Sequence, residues 1–349
     1  MAVAFEGLTR TYGRTTALDA ISLAVEEGGF TVFCGAPQSG KSTLFRCLIG
    51  LERPDAGRII LNGEDVTEWP AATRPVGYVP QSFALYPNLT VAQNIAYPMR
   101  LAGAPRRAIE AQVEKAATTL SITHLLRKTP DQLSGGEKQR VAVARGLSKD
   151  AHTFVLDDPL VGLDYKLRER LMDDLKALRA ELGATFLYAT SDSLEALTMA
   201  DRLVVLDAGR IVAEGPVEEV YDRPAHWRAM ELVGFPRANI FRGEVANGVV
   251  TAGPVRLRTS VEGARPVIAG IRPEAVRING GGEPATVTLV EDLGGERVVY
   301  LDAGGHELRT AAPVEGENPT EGDRVAFSLD DVLLFDPDGR PLGHAAGTA

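Results

Sequence analysis

The sequence predicts an α/β domain built on a covered parallel sheet, followed by a small all-β domain. Three observations predict this. Up to about residue 236, short and nearly continuous apolar runs alternate with stretches of helical period, the pattern of a sheet buried on both faces. A glycine-rich turn, GAPQSGKST at 35–43, stands between one such run and a helical stretch. After GFPRANIF (234–241) the pattern changes to short strand-like runs separated by turn dipeptides, as in a barrel or sandwich. With 349 residues the chain exceeds one typical domain, and the change of pattern divides it into 1–236 and 237–349.

In order, TVFCG (31–35), VGYVP (76–80), TFVLD (153–157), TFLYAT (185–190) and RLVVLD (202–207) read as buried strands. KSTLFRCLIGL (41–51), EAQVEKAATTLSI (110–122) and KLRERLMDDLKALRAEL (166–182) read as helices. In the second domain VTLVEDL (287–293), RVVYLDA (297–303) and RVAFSL (324–329) read as strands, with turns at Asn247–Gly248, Gly294–Gly295 and Gly304–Gly305. The tail DPDGRPLGHAAGTA (336–349) reads as loosely ordered.

Composition excludes several classes. The net charge of −10 opposes a large nucleic-acid footprint. Cys34 and Cys47 are too few for a disulfide framework and suit a reducing compartment, each packing as a small apolar group. The start, MAVAFEGLTRTYG, lacks a basic segment followed by a long apolar run and does not read as a signal peptide. No run of 18 or more apolar residues occurs, so membrane association is expected only through a partner.

GAPQSGKST fits the pattern G-x-x-x-x-G-K-[ST]. Gly35 and Gly40 let the backbone wrap closely on phosphate oxygens, with Pro37 and Gln38 in the turn. The amides of Ser39, Gly40, Lys41, Ser42 and Thr43 face a helix N-terminus, where the peptide dipoles favour an anion. Lys41 is placed for the β- and γ-phosphates and Ser42 for Mg²⁺. FVLDDP (154–159) ends an apolar strand on Asp157, a second Mg²⁺ ligand. An ordinary glycine-rich turn would not require that distant acid. The expected cofactors are ATP and Mg²⁺.

LSGGEKQRVAVARGL (133–147) resembles the signature of ABC ATPases. The resemblance implies a P-loop ABC ATPase domain, with a RecA-like core and a helical subdomain, followed by an OB/TOBE-like β domain. It implies that two ATPase domains stack head to tail. Leu133, Ser134, Gly135, Gly136 and Glu137 would then close over the nucleotide of the partner. Tyr12 matches the aromatic that stacks on adenine, and Gln81 the glutamine that senses Mg²⁺ and γ-phosphate. Leu163 and Asp164 match the loop that crosses to the other subunit. ALYPNLTVAQNIAYPMRL, GLDYKLRERL, GIRPEAVRI (270–278) and DDVLLFD (330–336) are similar to the maltose-type group of sugar, polyol and glycerol-phosphate importers. That group implies two transmembrane permease subunits docked near Phe83–Leu89, an external solute-binding protein, and a place on the cytoplasmic face of the inner membrane.

Two positions depart from the family pattern. Glutamate is expected after Asp157 as general base, and Asp158 stands there. One methylene fewer withdraws the carboxylate by about 1.5 Å, and such a base typically supplies about 10²–10⁴-fold. Histidine is expected after Thr190 as γ-phosphate sensor, and Ser191 stands there. Gln38 and Val161 also replace smaller residues of the pattern. The expectation is a cradle that binds ATP and hydrolyses it poorly, with an intact signature serving a second, complete ATPase in a heterodimer. A two-ATPase glycerol importer fits by analogy. A slow homodimer and a soluble regulatory nucleotide-binding protein remain as alternatives.

Overall fold

The computed structural model describes residues 1–279, 282–313 and 319–345. The chain divides into two compact units, Met1–Ile211 and Val212–Ala349.

The first unit runs β1 (Val3–Tyr12), β2 (Thr15–Val25), β3 (Gly29–Cys34), α1 (Lys41–Leu48), β4 (Ala56–Leu61), β5 (Glu64–Asp65), β6 (Val76–Val79), α2 (Val91–Leu101), α3 (Arg106–Thr119), α4 (Gly135–Leu147), β7 (Thr153–Asp157), α5 (Tyr165–Leu182), β8 (Thr185–Thr190), α6 (Ser193–Met199) and β9 (Arg202–Asp207). Five strands pair in parallel in the order β9-β3-β8-β7-β6. Every residue of β7 and β8 is buried, which explains their unbroken apolar character. β2, β1, β4 and β5 form a second, antiparallel sheet. Phe5, Leu8, Phe33, Phe45 and Leu187 join one core that includes residues of both sheets and α1. α2, α3 and α4 pack on one another as a helical subdomain.

β1 and β2 did not stand out in the sequence. Their pairing shifts register between Phe5 and Leu8, Leu8 and Arg10, and Arg10 and Thr11. Such bulges break the two-residue alternation that marks a strand. α3 begins four residues before the expected Glu110 and ends at Thr119. Leu120–Ile122 leave the helix through Ser121, whose φ is 56°.

β10 (Arg210–Pro216) spans the division. The second unit continues with α7 (Val217–Asp222), α8 (Trp227–Leu232), β11 (Asn239–Ala246), β12 (Val249–Ala252), β13 (Val255–Arg258), β14 (Arg265–Ile271), β15 (Val276–Asn279), β16 (Glu283–Asp292), β17 (Glu296–Asp302), β18 (Glu307–Pro313), β19 (Arg324–Leu329), β20 (Val332–Phe335) and β21 (Pro341–Ala345). They make two barrel-like antiparallel sheets, β13-β12-β11-β14-β20-β21 and β15-β19-β16-β17-β18. Val267, Val299, Leu301 and Phe327 contribute to the shared core. Asn247 and Gly248 turn the β11–β12 hairpin with φ of 52° and 72°, as that tight turn requires.

Arg272, in the GIRPE segment, joins α7 and α8 to the strands of this unit. Its buried guanidinium donates to the carbonyls of Met230 and Val233, and to Tyr221 O at 2.7 Å. It thereby ties the last turns of α7 and α8 to the end of β14, satisfying carbonyls that a helix end leaves open. The tail departs from its reading: Pro341–Ala345 is a strand paired with β20. Ala345 is buried in the core, so tertiary pairing orders a polar, glycine-rich segment. The remaining tail residues, 346–349, lie outside the described residues.

Candidate nucleotide site

β3 ends at Cys34 and α1 begins at Lys41, so the glycine-rich turn sits at the carboxyl edge of the parallel sheet. There the two glycines are sterically required. A Cβ on Gly35 would lie 2.3 Å from Leu206 O, and one on Gly40 2.5 Å from Ala17 O. Gly40 also caps α1 with φ of 108°. Gln38 holds a φ of 69°, left-handed backbone that costs a side-chain-bearing residue about 1 kcal/mol. The cradle therefore keeps its glycine-like shape at 38 without the glycine.

Lys41 is buried at 7% exposure. Its ammonium donates to Gly35 O at 2.6 Å, Ala36 O at 3.0 Å and Ser39 Oγ at 3.4 Å. Burial lowers its pKa, and the nearby acids Asp157 and Asp158 oppose that shift. Ser42 Oγ donates to Asp157 Oδ1 at 3.0 Å. Asp157, 3% exposed, has its pKa raised by burial, against the hydrogen bond from Ser42, the charges of Arg46 and Lys41, and a hydrogen bond with Tyr78.

A hydroxyl and a carboxylate in contact at the cradle are hard oxygen donors that fit Mg²⁺. Among the described residues no group of three His, Cys, Asp or Glu side chains forms a metal cage. An ion at Ser42 and Asp157 thus needs phosphate and water oxygens as well, the usual arrangement for Mg²⁺ beside a nucleotide.

One cavity of about 770 Å³ is lined by Tyr12, Pro37, Gln38, Ser39, Gly40, Lys41, Ser42, Thr43, Gln81, Asp157, Asp158, Val161 and Ser191. It gathers the glycine-rich turn, the strand-end acid Asp157, and both Asp158 and Ser191 from separate stretches of chain. Thr15, Thr16, Ala17 and Ala208 also line it. Nothing in their side-chain chemistry marks them in the sequence. Tyr12 is 42% exposed; its hydroxyl donates to Glu52, and the Arg10 guanidinium lies 4.9 Å from its ring centre.

Asp158 has a φ of 50°, and its N–H donates to Ala189 O at 2.9 Å. Burial raises its pKa; Lys41 opposes the shift, and Asp157 and Asp192 add to it.

The signature stands elsewhere in the same unit. Ser134 caps α4: its hydroxyl accepts from Glu137 N at 3.3 Å, and Glu137 Oε2 accepts from Ser134 N at 2.8 Å. Hydrogen bonding from the Ser134 backbone, and then from its side chain, holds the Glu137 carboxyl below its usual range. A Cβ on Gly135 would meet nothing within 4 Å, whereas one on Gly136 would lie 1.8 Å from Leu167 Cδ2. Leu133 and Leu163 are buried, and Asp164 caps α5 by accepting from Leu167 N at 3.0 Å. None of these signature or crossing-loop residues lines the cavity.

Past Gln81, Phe83 and Ala84 hold φ of 48° and 49°. Arg145, near the end of α4, donates to both of their carbonyls, at 2.9 Å and 2.5 Å. Signature helix and glutamine loop are thus joined by one guanidinium, a link that sequence spacing does not reveal.

A phosphate cradle and a strand-end acid at one sheet edge, with a capped Ser-Gly-Gly helix start in the same unit, define an ATP-binding cassette. Residues 18–161 match the ABC transporter family and residues 269–335 the TOBE domain. The chain is 38% identical over 361 residues to the trehalose/maltose import ATP-binding protein MalK of Thermococcus litoralis, covering 94% of this chain and 95% of that one. It is 36% identical over 333 residues to the sn-glycerol-3-phosphate import ATP-binding protein UgpC of a Jannaschia species, covering 93% and 95%. A dimeric ATP-binding cassette in a post-hydrolysis state, bound to ADP and Pi, matches with a TM-score of 0.57 and 27% identity over 62% of this chain and 98% of that one. The chain belongs to the ABC transporter ATP-binding proteins, in the branch that carries a TOBE domain after the ATPase. Among the described residues no helix is long and apolar enough to cross a membrane.

Proposed function

We propose that this chain is the ATP-binding subunit of an importer for a small carbohydrate, polyol or glycerol phosphate, and that its own cradle binds ATP but hydrolyses it poorly. One observation supports the second part most. Asp158 and Ser191 line the same cavity as a complete cradle, so the chemical deficit falls where the γ-phosphate would lie. Lys41 and the amides at the start of α1 bind phosphate, and Tyr12 receives the adenine. Ser42 and Asp157, with Gln81 at the same cavity, hold Mg²⁺, which when bound neutralises charge on the phosphates. The Asp158 carboxylate is short for orienting an attacking water, and Ser191 offers a hydroxyl where an imidazole would reach further.

Ser134, Gly135 and Gly136 then serve the nucleotide of a second ATPase in a head-to-tail pair. That pair couples to two permease subunits through the segment around Phe83–Leu89, on the cytoplasmic face of the inner membrane. An external solute-binding protein delivers the cargo. The similarity to UgpC and MalK proteins supports the cargo class.

The test has two parts. The purified chain should bind ATP–Mg²⁺ yet turn it over well below the ~1–10³ s⁻¹ of ordinary enzymes, and it should co-purify with two hydrophobic permeases and a second ATPase. Turnover of several per second by the chain alone would favour a working homodimer. Nucleotide binding without any permease would favour a soluble regulator.

A further inference from the structure

Ser191 is held by a network that the reading of the cavity does not use. Asp192 Oδ1 accepts from the amides of Leu194 and Glu195 at 2.9 and 3.1 Å and so caps α6. Asp192 N donates to Thr190 Oγ1 at 3.0 Å. Thr190 Oγ1 donates onward to Glu195 Oε2 at 2.8 Å, and Tyr188 OH donates to the same oxygen at 3.0 Å. Glu195 is 4% exposed. Both neighbours of Ser191 in the chain, Thr190 and Asp192, therefore belong to one hydrogen-bonded frame around a buried carboxylate.

A single cation from another element closes that frame. Arg168 Nη1 donates to Asp192 Oδ2 at 2.8 Å, and Arg168 Nε lies 3.5 Å from Glu195 Oε1. Arg168 stands on α5, one turn after Asp164, and its N–H donates to Asp164 O at 2.9 Å. The guanidinium is absent from the cavity lining, so it stands outside the proposed nucleotide site. It hydrogen-bonds the cap of α6 through Nη1 and brings Nε within ion-pair distance of the buried acid, so one planar cation faces both groups, a placement that a flexible ammonium reproduces only in part.

We propose that Arg168 is a positioning residue: it keeps the Ser191 loop in register with the Asp164 loop, so that this chain's nucleotide site and the loop facing the partner ATPase move as one body. The proposal rests on the proposed assignments of Ser191 and Asp164, and not on the rate of hydrolysis at this cradle. The Arg168 and Asp192 side chains are 31% and 36% exposed. A half-exposed pair of this kind contributes little to stability, and Glu195 keeps two hydroxyl donors without it. Loss of Arg168 should therefore cost turnover more than folding.

The test uses the complex assembled from this chain, its ATPase partner and the permeases, with ATP–Mg²⁺ as the probe. The readouts are kcat, KM for ATP and melting temperature. Arg168→Ala should lower kcat about tenfold, through the Asp164 loop that faces the partner's working site, while KM stays within about twofold, the signature of lost alignment rather than lost ground-state binding. Arg168→Lys should recover part of that loss, since charge returns without the fork. Arg168→Gln combined with Glu195→Gln removes both charges, leaves no buried acid stranded, and should show the same fall in kcat. An unchanged kcat in folded, assembled complexes overturns the proposal. So does a fall in kcat that tracks a lowered melting temperature across all three variants, which would make Arg168 a structural strut only. Asp158→Asn in the same complex reports separately on the hydrolysis-poor reading, because its outcome leaves the Arg168 comparison untouched.

Discussion

The backbone N–H of Asp158 donates to the carbonyl oxygen of Ala189 at 2.9 Å, two residues before Ser191. The ends of β7 and β8 are thereby pinned to each other where both departures from the family pattern occur. The left-handed backbone at Asp158, φ 50°, is one that aspartate tolerates better than most residues. A longer acid at 158 would keep the strand pairing and this hydrogen bond, which are formed by backbone, in a left-handed conformation that glutamate favours less than aspartate.

Restoring both groups together should therefore restore chemistry. Asp158→Glu with Ser191→His is expected to raise hydrolysis at this chain's own cradle by at least about tenfold, a fraction of the ~10²–10⁴ that a positioned base contributes. The measurement is steady-state ATPase of an assembled pair in which the partner's own base has been removed. No gain, with ATP still bound, would move the deficit to Gln38 or Val161, which line the same cavity.

Binding should depend on Lys41. Its ammonium is held over the cradle by Gly35 O, Ala36 O and Ser39 Oγ, so it is prepositioned and little side-chain freedom is lost on meeting phosphate. Lys41→Ala should weaken ATP binding at least about tenfold, the scale of one charge-assisted hydrogen bond of ~1.5–3 kcal/mol. Ala at this site leaves the Gly40 cap and α1 intact, so the melting temperature should change little. Equilibrium binding of a fluorescent ATP analogue by the purified chain, read beside its thermal melt, checks both statements.

The parts of the fold legible in the sequence were those whose chemistry is contiguous. The cradle and the signature each occupy one short stretch, and Gly35, Gly40 and Gly136 mark backbone that a Cβ would block. The parallel strands were legible because burial on both faces leaves apolar runs such as Phe186–Ala189 without polar interruptions. Features created by distant pairing were not legible. The bulges of β1 hide its period, and β21 owes its order to β20. Ala17 and Ala208 enter the cavity wall only because loops bring them there. Arg145 and Arg168 read as surface charges on amphipathic helices, yet one holds the loop after Gln81 and the other the cap beside Ser191.

Both thiols should be silent in the folded protein. Cys34 and Cys47 are free and buried. Burial is the largest cause in each case, raising Cys34 to about 12 against the opposing charge of Lys41, and Cys47 to about 11 against Arg10 and Arg74. The reactive thiolate is thus suppressed at neutral pH in addition to being shielded. A thiol-reactive chromophore should label neither cysteine within minutes in native buffer and both after denaturation. Rapid native labelling of Cys34 would show that the sheet edge behind the cradle opens.

The most discriminating comparison sets the signature against the base position. A Cβ at Gly135 meets open space, and its φ is not in the left-handed region; a Cβ at Gly136 would collide with Leu167. Gly135→Asp should therefore fold normally, whereas changes at Gly136 would confuse function with packing. In a head-to-tail pair the new carboxylate would stand against the partner's γ-phosphate, where expelled water strengthens like-charge repulsion. ATPase activity of the assembled transporter should fall at least about 100-fold, a loss of ~2.7 kcal/mol in transition-state stabilisation. Asp158→Asn keeps volume and should cost about threefold or less, because on the proposed reading the base it weakens contributes little of the total. ATPase and solute uptake by reconstituted complexes carrying each change singly, with assembly confirmed, decide between the accounts. If Asp158→Asn silences the complex as completely as Gly135→Asp, this cradle is a working catalytic site, and a homodimer with a short base becomes the better description.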